Sequence, residues 1–146
     1  MISTQQSPTG APTTTLGARL GQAAMAVVLT IVSVPLLLTT HRVELAVHGA
    51  DLPAGLLFGA AFQVVVSLFL WAATGTRFPV LVLGALWGLA AAPFLGQGAG
   101  GGVLLPAELA GQVQLSGWIV QGIGIGVPFL VVLAMTLVGR GRRLAG

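Results

Sequence analysis

The chain has 146 residues, of which 55% are hydrophobic and 6% charged, with a net charge of +3 and a mean hydropathy of +1.00. Soluble domains carry about 25% charged residues, so this composition excludes a water-exposed globular surface. Cysteine is absent, which excludes disulfides, thiolate metal sites and thiol nucleophiles. The few arginines lie at chain ends and in loops and are interpreted as topology signals, so no nucleic-acid partner is expected.

Residues 1–16 include 11 that are Ser, Thr, Gln or Pro. Such a segment cannot bury enough apolar surface to offset its ordering entropy, which predicts a disordered cytoplasmic tail. A secretory signal peptide is the alternative, with Arg19 as its charged flank and residues 46–50 as the cleavage site. The first apolar run is longer than the roughly 7–15 residues of a signal peptide, which favours a membrane span.

Four apolar stretches follow, and none contains a charged side chain: residues 20–40, 52–73, 78–95 and 113–138. They are about 21, 22, 18 and 26 residues long, and a hydrocarbon core of about 30 Å needs about 20 helical residues. The sequence therefore predicts an all-α membrane protein, a four-transmembrane-helix bundle. The transmembrane domain covers residues 17–139, and a basic cytoplasmic tail covers residues 140–146.

Two helix boundaries carry further signals. Asp51 is a good N-cap for the second span, and the following Pro53 is tolerated in a first helical turn. The third span is short and contains Pro93 near its end. A re-entrant segment is therefore an alternative for the third span, although it would place the C-terminal arginines outside the cell.

The charges predict an orientation. Five of the six arginines fall on one side of the predicted bundle: Arg19, Arg77, Arg140, Arg142 and Arg143. The two loops on the other side contain the remaining arginine and all three acids. Arg42, Glu44 and Asp51 lie in the first of these loops, and Glu108 lies in the second. The positive-inside rule then gives an N-in, C-in topology.

Small and polar residues inside the spans suggest how the helices associate. Each of the last three spans has a pair of glycines four residues apart: Gly55 and Gly59, Gly84 and Gly88, Gly122 and Gly126. Such pairs let backbones approach closely, within the bundle or between copies of the chain. Gln63 and Gln121 are polar residues within their spans, and we expect them to form an interhelical hydrogen bond with each other or to contact a solute or an ion.

Sites for chemistry are scarce. His41, Glu44 and His48 could share a helix face, but their spacing of three and four differs from that of a zincin, so an ordinary loop is favoured over a metal site. The glycines at 96, 98 and 101 match a dinucleotide motif without the βαβ unit it requires. We therefore predict no catalytic residue, no bound metal, no cofactor and no enzyme activity.

Several short segments carry a resemblance. They are Thr40-His41-Arg42, Leu52-Pro53-Ala54-Gly55-Leu56, Gly75-Thr76-Arg77, Leu86-Trp87 and Leu105-Pro106. In these segments the chain, over about residues 20–138, resembles an uncharacterised family of small four-span integral membrane proteins of high-GC Gram-positive bacteria. The resemblance implies a plasma-membrane location and a compact bundle, marks His41 as an outer-loop residue of interest, and supplies no activity.

Two functional hypotheses remain. The first is an accessory or scaffold subunit of a membrane assembly, because the chain is small and its spans lack charge. The second is a small oligomeric transporter or channel for a neutral or apolar solute, lined by Gln63, Gln121 and residues 122–126, and an unwound stretch before Pro128 would favour it. The expected partners are the lipid bilayer and either another membrane protein or further copies of this chain.

Overall fold

The computed structural model describes residues 15–95, 108–109, 112–113 and 115–144. The helices are α1 (Leu16–Thr40), α2 (Ala54–Thr74), α3 (Phe78–Ala91) and α4 (Leu115–Leu144), with a 3-10 turn, Ala92–Phe94, after α3. The strands form two antiparallel hairpins, β1 (Leu45–Val47) with β2 (Ala50–Leu52), and β3 (Glu108–Leu109) with β4 (Gln112–Val113). The expected all-α fold with four bundled helices is confirmed.

The helices alternate in direction around the bundle. Helices α1 and α4 each pack against both α2 and α3, and they have little contact with each other. We call the end that carries both β-hairpins the hairpin end. The opposite end, with the start of α1, the α2–α3 turn and the end of α4, is called the arginine end, because it carries Arg19, Arg77 and Arg140.

Three helical segments are long and apolar enough to cross a membrane: α1, α2 and Leu115–Gly141 of α4. The third span is shorter, because its α-helix ends at Ala91 and the 3-10 turn containing Pro93 follows. At 1.5 Å per α-helical residue and about 2 Å per 3-10 residue, this span measures about 27 Å along its axis. That length is close to a hydrocarbon core of about 30 Å.

The outer helix boundaries extend beyond the predicted domain limits. Helix α1 begins at Leu16, because the Thr15 side chain accepts a hydrogen bond from the Ala18 N–H at 3.3 Å and so caps the first turn. Thr15 and Leu16 therefore form the N-cap and the first residue of α1, and the rest of the predicted disordered tail lies outside the described residues. Helix α4 continues to Leu144, so the backbone of the predicted basic tail is helical as far as that residue.

The prediction that Asp51 caps α2 is wrong. Asp51 pairs with Ala46 in the β1–β2 ladder, and Pro53 is the N-cap residue without a side-chain bond. The Val43 carbonyl accepts from the Gly55 N–H at 2.8 Å instead. His48 and Gly49 have φ angles of 52° and 83°, the pattern of a type I′ turn, which closes a two-residue hairpin and draws Asp51 away from the helix.

The apolar core has two layers. The layer nearer the hairpin end is built from α1, α3 and α4: Val34, Leu37, Leu38, Trp87, Ala91 and Val120. The layer nearer the arginine end is built from α1, α2 and α3: Ala26, Val66, Leu70, Val80 and Leu83. The fully buried polar residues Gln63 and Ser67 of α2 lie between the ends of the bundle.

Candidate functional site

Gln63 is the most deeply buried polar side chain with a long-range hydrogen bond. It is completely buried on α2, and its Nε2 donates to the Gly124 carbonyl of α4 at 3.3 Å. A carbonyl only accepts, so this contact fixes the amide with its nitrogen toward α4. Its Oε1 has no partner among the described residues.

Trp87 fills the space between α3 and α4 beside this amide. Its ring is fully buried and lies so close to Gly124 that a Cβ added at Gly124 would overlap it. The indole Nε1–H has no acceptor among the described residues. The glycine therefore serves two contacts, because its carbonyl receives Gln63 and its missing side chain leaves room for Trp87.

Gln121 lies one helical turn before Gly124 on α4 and is half-buried. Its Nε2 donates to the Gly88 carbonyl of α3 at 3.4 Å, and its Oε1 is unpartnered within the described part of the chain. Ser67, one turn after Gln63 on α2, is fully buried, and its Oγ also lacks a hydrogen bond there. We call Gln63, Ser67, Trp87 and Gln121 the polar cluster.

The polar cluster contains both hydrogen-bond donors and hydrogen-bond acceptors that have no partner among the described residues. Gln63 and Gln121 offer carbonyl oxygens, Trp87 offers an N–H, and the Ser67 hydroxyl can donate or accept. A buried polar atom without a partner costs about 1–3 kcal/mol, so each of these four atoms would be stabilised by a hydrogen-bonding partner. No ionisable side chain belongs to the cluster, so the cluster has no group that could carry a proton or balance an ion's charge.

Gln63 thus lies deep in the bundle and Gln121 is half-buried, and each donates a hydrogen bond to a backbone carbonyl of another helix. The direct hydrogen bond between them that the sequence suggested is not formed.

Comparison with known proteins identifies no relative of this chain. No protein-family model, curated protein or solved structure matches the chain.

The glycines of α2 and α3 lie at helix contacts. A Cβ added at Gly55 would overlap the Thr40 carbonyl, and one added at Gly59 would overlap the Leu37 side chain of α1. On α3, a Cβ at Gly84 would lie 3.1 Å from the Phe129 ring, and one at Gly88 would lie 2.9 Å from Ile125 Cδ1. These four glycines permit the close approach that their spacing predicted.

The third glycine pair, Gly122 and Gly126 on α4, does not lie at a contact with another described helix. A Cβ added at Gly122 or Gly126 would meet no other described atom within 4 Å outside its own helical surroundings. Gly124, which the spacing argument omitted, makes the helix contact instead. Two residues correspond to about 200° around an α-helix, so Gly124 and the predicted pair lie on opposite faces of α4.

His41 lies at the hairpin end, where it follows the last turn of α1. The residue is 7% exposed, and its Nδ1 donates to the Leu38 carbonyl at 2.8 Å while Arg42 Nε lies 3.4 Å from its Nε2. The Leu38 carbonyl can only accept, so the Nδ1 of His41 is the donor in this bond. Among the described residues no group of three His, Cys, Asp or Glu side chains could hold a metal. The contacts assign His41 to the capping of α1.

Proposed function

We propose that this chain is a four-span protein of the plasma membrane with both termini in the cytoplasm, and that it serves as an accessory or scaffold subunit of a membrane assembly. Three long apolar helices support the membrane location. The arginine end carries Arg19, Arg77 and Arg140 and no acidic side chain, which supports the cytoplasmic side for that end.

Cysteine labelling tests the orientation without background, because the chain has no cysteine of its own. Ala50→Cys lies in the exposed β1–β2 hairpin, and Gly141→Cys lies at an exposed position near the end of α4. We expect a membrane-impermeant maleimide to label the first variant in intact cells and the second only after the membrane is opened. Labelling of Gly141→Cys in intact cells would contradict the proposed orientation.

The accessory role is supported by the outward face of α4. Only 11% of its most apolar stretch is buried, against 33% in α1 and 28% in α2. Gly122 and Gly126 lie on this face, in line with exposed apolar residues: Leu115, Ile119, Leu130, Leu133 and Leu137. Lipid can cover leucines, but small residues four apart are typical of faces that another helix approaches closely.

Purification of the protein from its own membrane after crosslinking, followed by native mass spectrometry, tests this role. We expect stoichiometric recovery of a different membrane protein with the wild-type chain. Gly122→Leu and Gly126→Leu should reduce that recovery strongly, because each side chain would hold the partner helix away. Ala61→Leu, at an exposed position of α2, adds a side chain of similar bulk at another outward-facing position and should leave recovery unchanged.

A second candidate function, the small oligomeric transporter or channel, is supported by the polar cluster alone. Its unpartnered atoms would suit a neutral solute with one donor and one acceptor. Helix α4 is, however, an uninterrupted helix through Gly122–Gly126 and Pro128, without the unwound stretch that would have favoured a path. Recovery of a homo-oligomer without another protein would contradict the accessory role and favour this second function. Solute flux into liposomes that is lost in Gln63→Met and Gln121→Met would then test it.

A further inference from the structure

A cavity at the arginine end brings two cationic side chains together. It has a volume of about 250 Å³ and is lined by Arg77, Thr136, Gly139 and Arg140. Arg77 precedes α3 immediately, and the other three residues belong to the last turns of α4. The cavity therefore lies between the start of one helix and the end of another, and the proposed membrane location would place it near the headgroups of the bilayer.

Both charged side chains that line the cavity, Arg77 and Arg140, are positive. All three acidic side chains of the chain, Glu44, Asp51 and Glu108, belong to the loops at the hairpin end. Two guanidinium groups beside one cavity repel each other unless an anion lies between them. Arg77 is also the N-cap residue of α3, which has no side-chain cap bond, so the partial positive charge of that helix terminus adds to the same field.

The space in the cavity depends on Gly139, because this lining residue has no side chain. A Cβ built at Gly139 would lie 3.8 Å from Nη2 of Arg77, an ordinary van der Waals distance, so the guanidinium extends beside the α4 backbone at this glycine. A larger side chain at position 139 would occupy the cavity. The Thr136 hydroxyl already donates to the Val132 carbonyl at 2.7 Å, so the arginines are the donors left for a ligand.

Two arginines around a cavity of this size match the oxygens of a phosphate group. Guanidinium groups bind phosphate with two parallel hydrogen bonds, and such charge-assisted bonds are about twice as strong as neutral ones. We infer that Arg77 and Arg140 bind the phosphate of an anionic phospholipid headgroup in this cavity. The inference rests on the proposed membrane location and is independent of the proposed accessory role.

Lipid retention measures this binding directly. The full chain is reconstituted in nanodiscs that contain equal amounts of phosphatidylglycerol and phosphatidylcholine, transferred to mild detergent, and examined by native mass spectrometry. We expect the wild-type protein to retain phosphatidylglycerol in preference to phosphatidylcholine. Arg77→Gln and Arg140→Gln should each lower that retention by about tenfold or more, because each removes one charged donor.

Matched controls separate a defined site from general surface charge. Arg19→Gln removes the same charge at the same end but from a neighbouring cavity, lined by Arg19, Gln22, Thr76 and Phe78, and should leave retention unchanged. Gly139→Leu keeps both arginines and fills the cavity, so it should lower retention as Arg77→Gln does. Gly139→Ala should be tolerated at the 3.8 Å distance, and Gly141→Leu, where an added Cβ meets nothing described within 4 Å, should have no effect.

Each contrary outcome overturns the inference. Equal retention of the two lipids by the wild-type chain would mean that the cavity does not select anionic phosphate. Equal losses in Arg19→Gln and Arg77→Gln would assign retention to the net charge of the end. Binding of inorganic phosphate to the delipidated protein, without lipid selectivity, would identify free phosphate as the ligand instead. If an arginine variant fails to fold, Gly139→Leu still tests the site. This variant retains both arginines and only fills the cavity.

Discussion

Helices α2 and α4 contain the same spacing of small residues and use it in opposite ways. In α2, Gly55 and Gly59 lie against α1, where an added Cβ would overlap Thr40 and Leu37. In α4, Gly122 and Gly126 point away from the bundle, and Gly124 between them packs against Trp87. The spacing alone thus indicates that a helix can be approached closely, without indicating which neighbour approaches it.

The residues that share the glycine face explain the difference. On α2, the buried face continues from the glycines through Gln63 and Ser67. Polar side chains are expensive against lipid, so this face has to be covered by other helices. On α4, the Gly122 and Gly126 face continues through leucines, which lipid covers without penalty. The polar residues, more than the glycines, determine which face turns inward.

The largest expected effect is at Gly55. Gly55→Ala places a Cβ against the backbone carbonyl of Thr40, which cannot move without displacing the end of α1. We expect a loss of about 3 kcal/mol in the free energy of unfolding, or failure to fold, as for severe overpacking. Unfolding in mixed micelles, followed by tryptophan fluorescence, measures it.

Gly122→Ala is the matched control for Gly55→Ala, because it makes the same change on the uncovered face. It should change the free energy of unfolding by no more than about 1 kcal/mol, and the change can be stabilising, since alanine favours helix more than glycine does. Equal losses in the two variants would show that glycine at these positions matters for some property other than helix contact.

A smaller effect is expected at Gly124, because its neighbour is a side chain. Gly124→Ala should cost about 1–3 kcal/mol, since the added Cβ overlaps the Trp87 ring and the ring has to shift. Gly126→Ala, two residues away, should be close to neutral. In a double-mutant cycle, Trp87→Leu should recover part of the loss in the Gly124→Ala background, with a coupling of about 1 kcal/mol or more. Strict additivity would contradict the contact.

Sequence reasoning predicts the fold well, because long uncharged apolar stretches have few alternatives. Four helices and the turn at residues 75–77 follow directly from hydropathy and length. The helix boundaries were less predictable where tertiary contacts compete with local signals. Asp51 has the chemistry of an N-cap, but the two-residue turn at His48 and Gly49 places it in a strand, and the Val43 carbonyl takes over the capping.

The candidate site could be predicted only in part. Gln63 and Gln121 stand out in the sequence because polar residues are rare in spans, whereas their carbonyl partners, Gly124 and Gly88, carry no side-chain signal. The stretch Gly122–Gly126 contains glycines on both faces of α4, and the four-residue spacing draws attention to the uncovered one. The presence of Trp87 on α3 was the available hint that α4 needs a small residue opposite a large ring.

A small effect is expected at Gln63, although this polar residue is completely buried. Gln63→Met keeps the length of the side chain, removes the hydrogen bond to Gly124, and removes the unpartnered Oε1 as well. An interhelical hydrogen bond within a membrane contributes about 0.6 kcal/mol on average, and loss of a buried unpaired acceptor offsets it. We therefore expect a change below about 1 kcal/mol, measured by the same unfolding assay. Gln63→Ala, which also leaves a cavity, should cost clearly more. A loss above about 2 kcal/mol in Gln63→Met would instead mean that Oε1 is satisfied by bound water or a solute, which would strengthen the case for the polar cluster as a binding site.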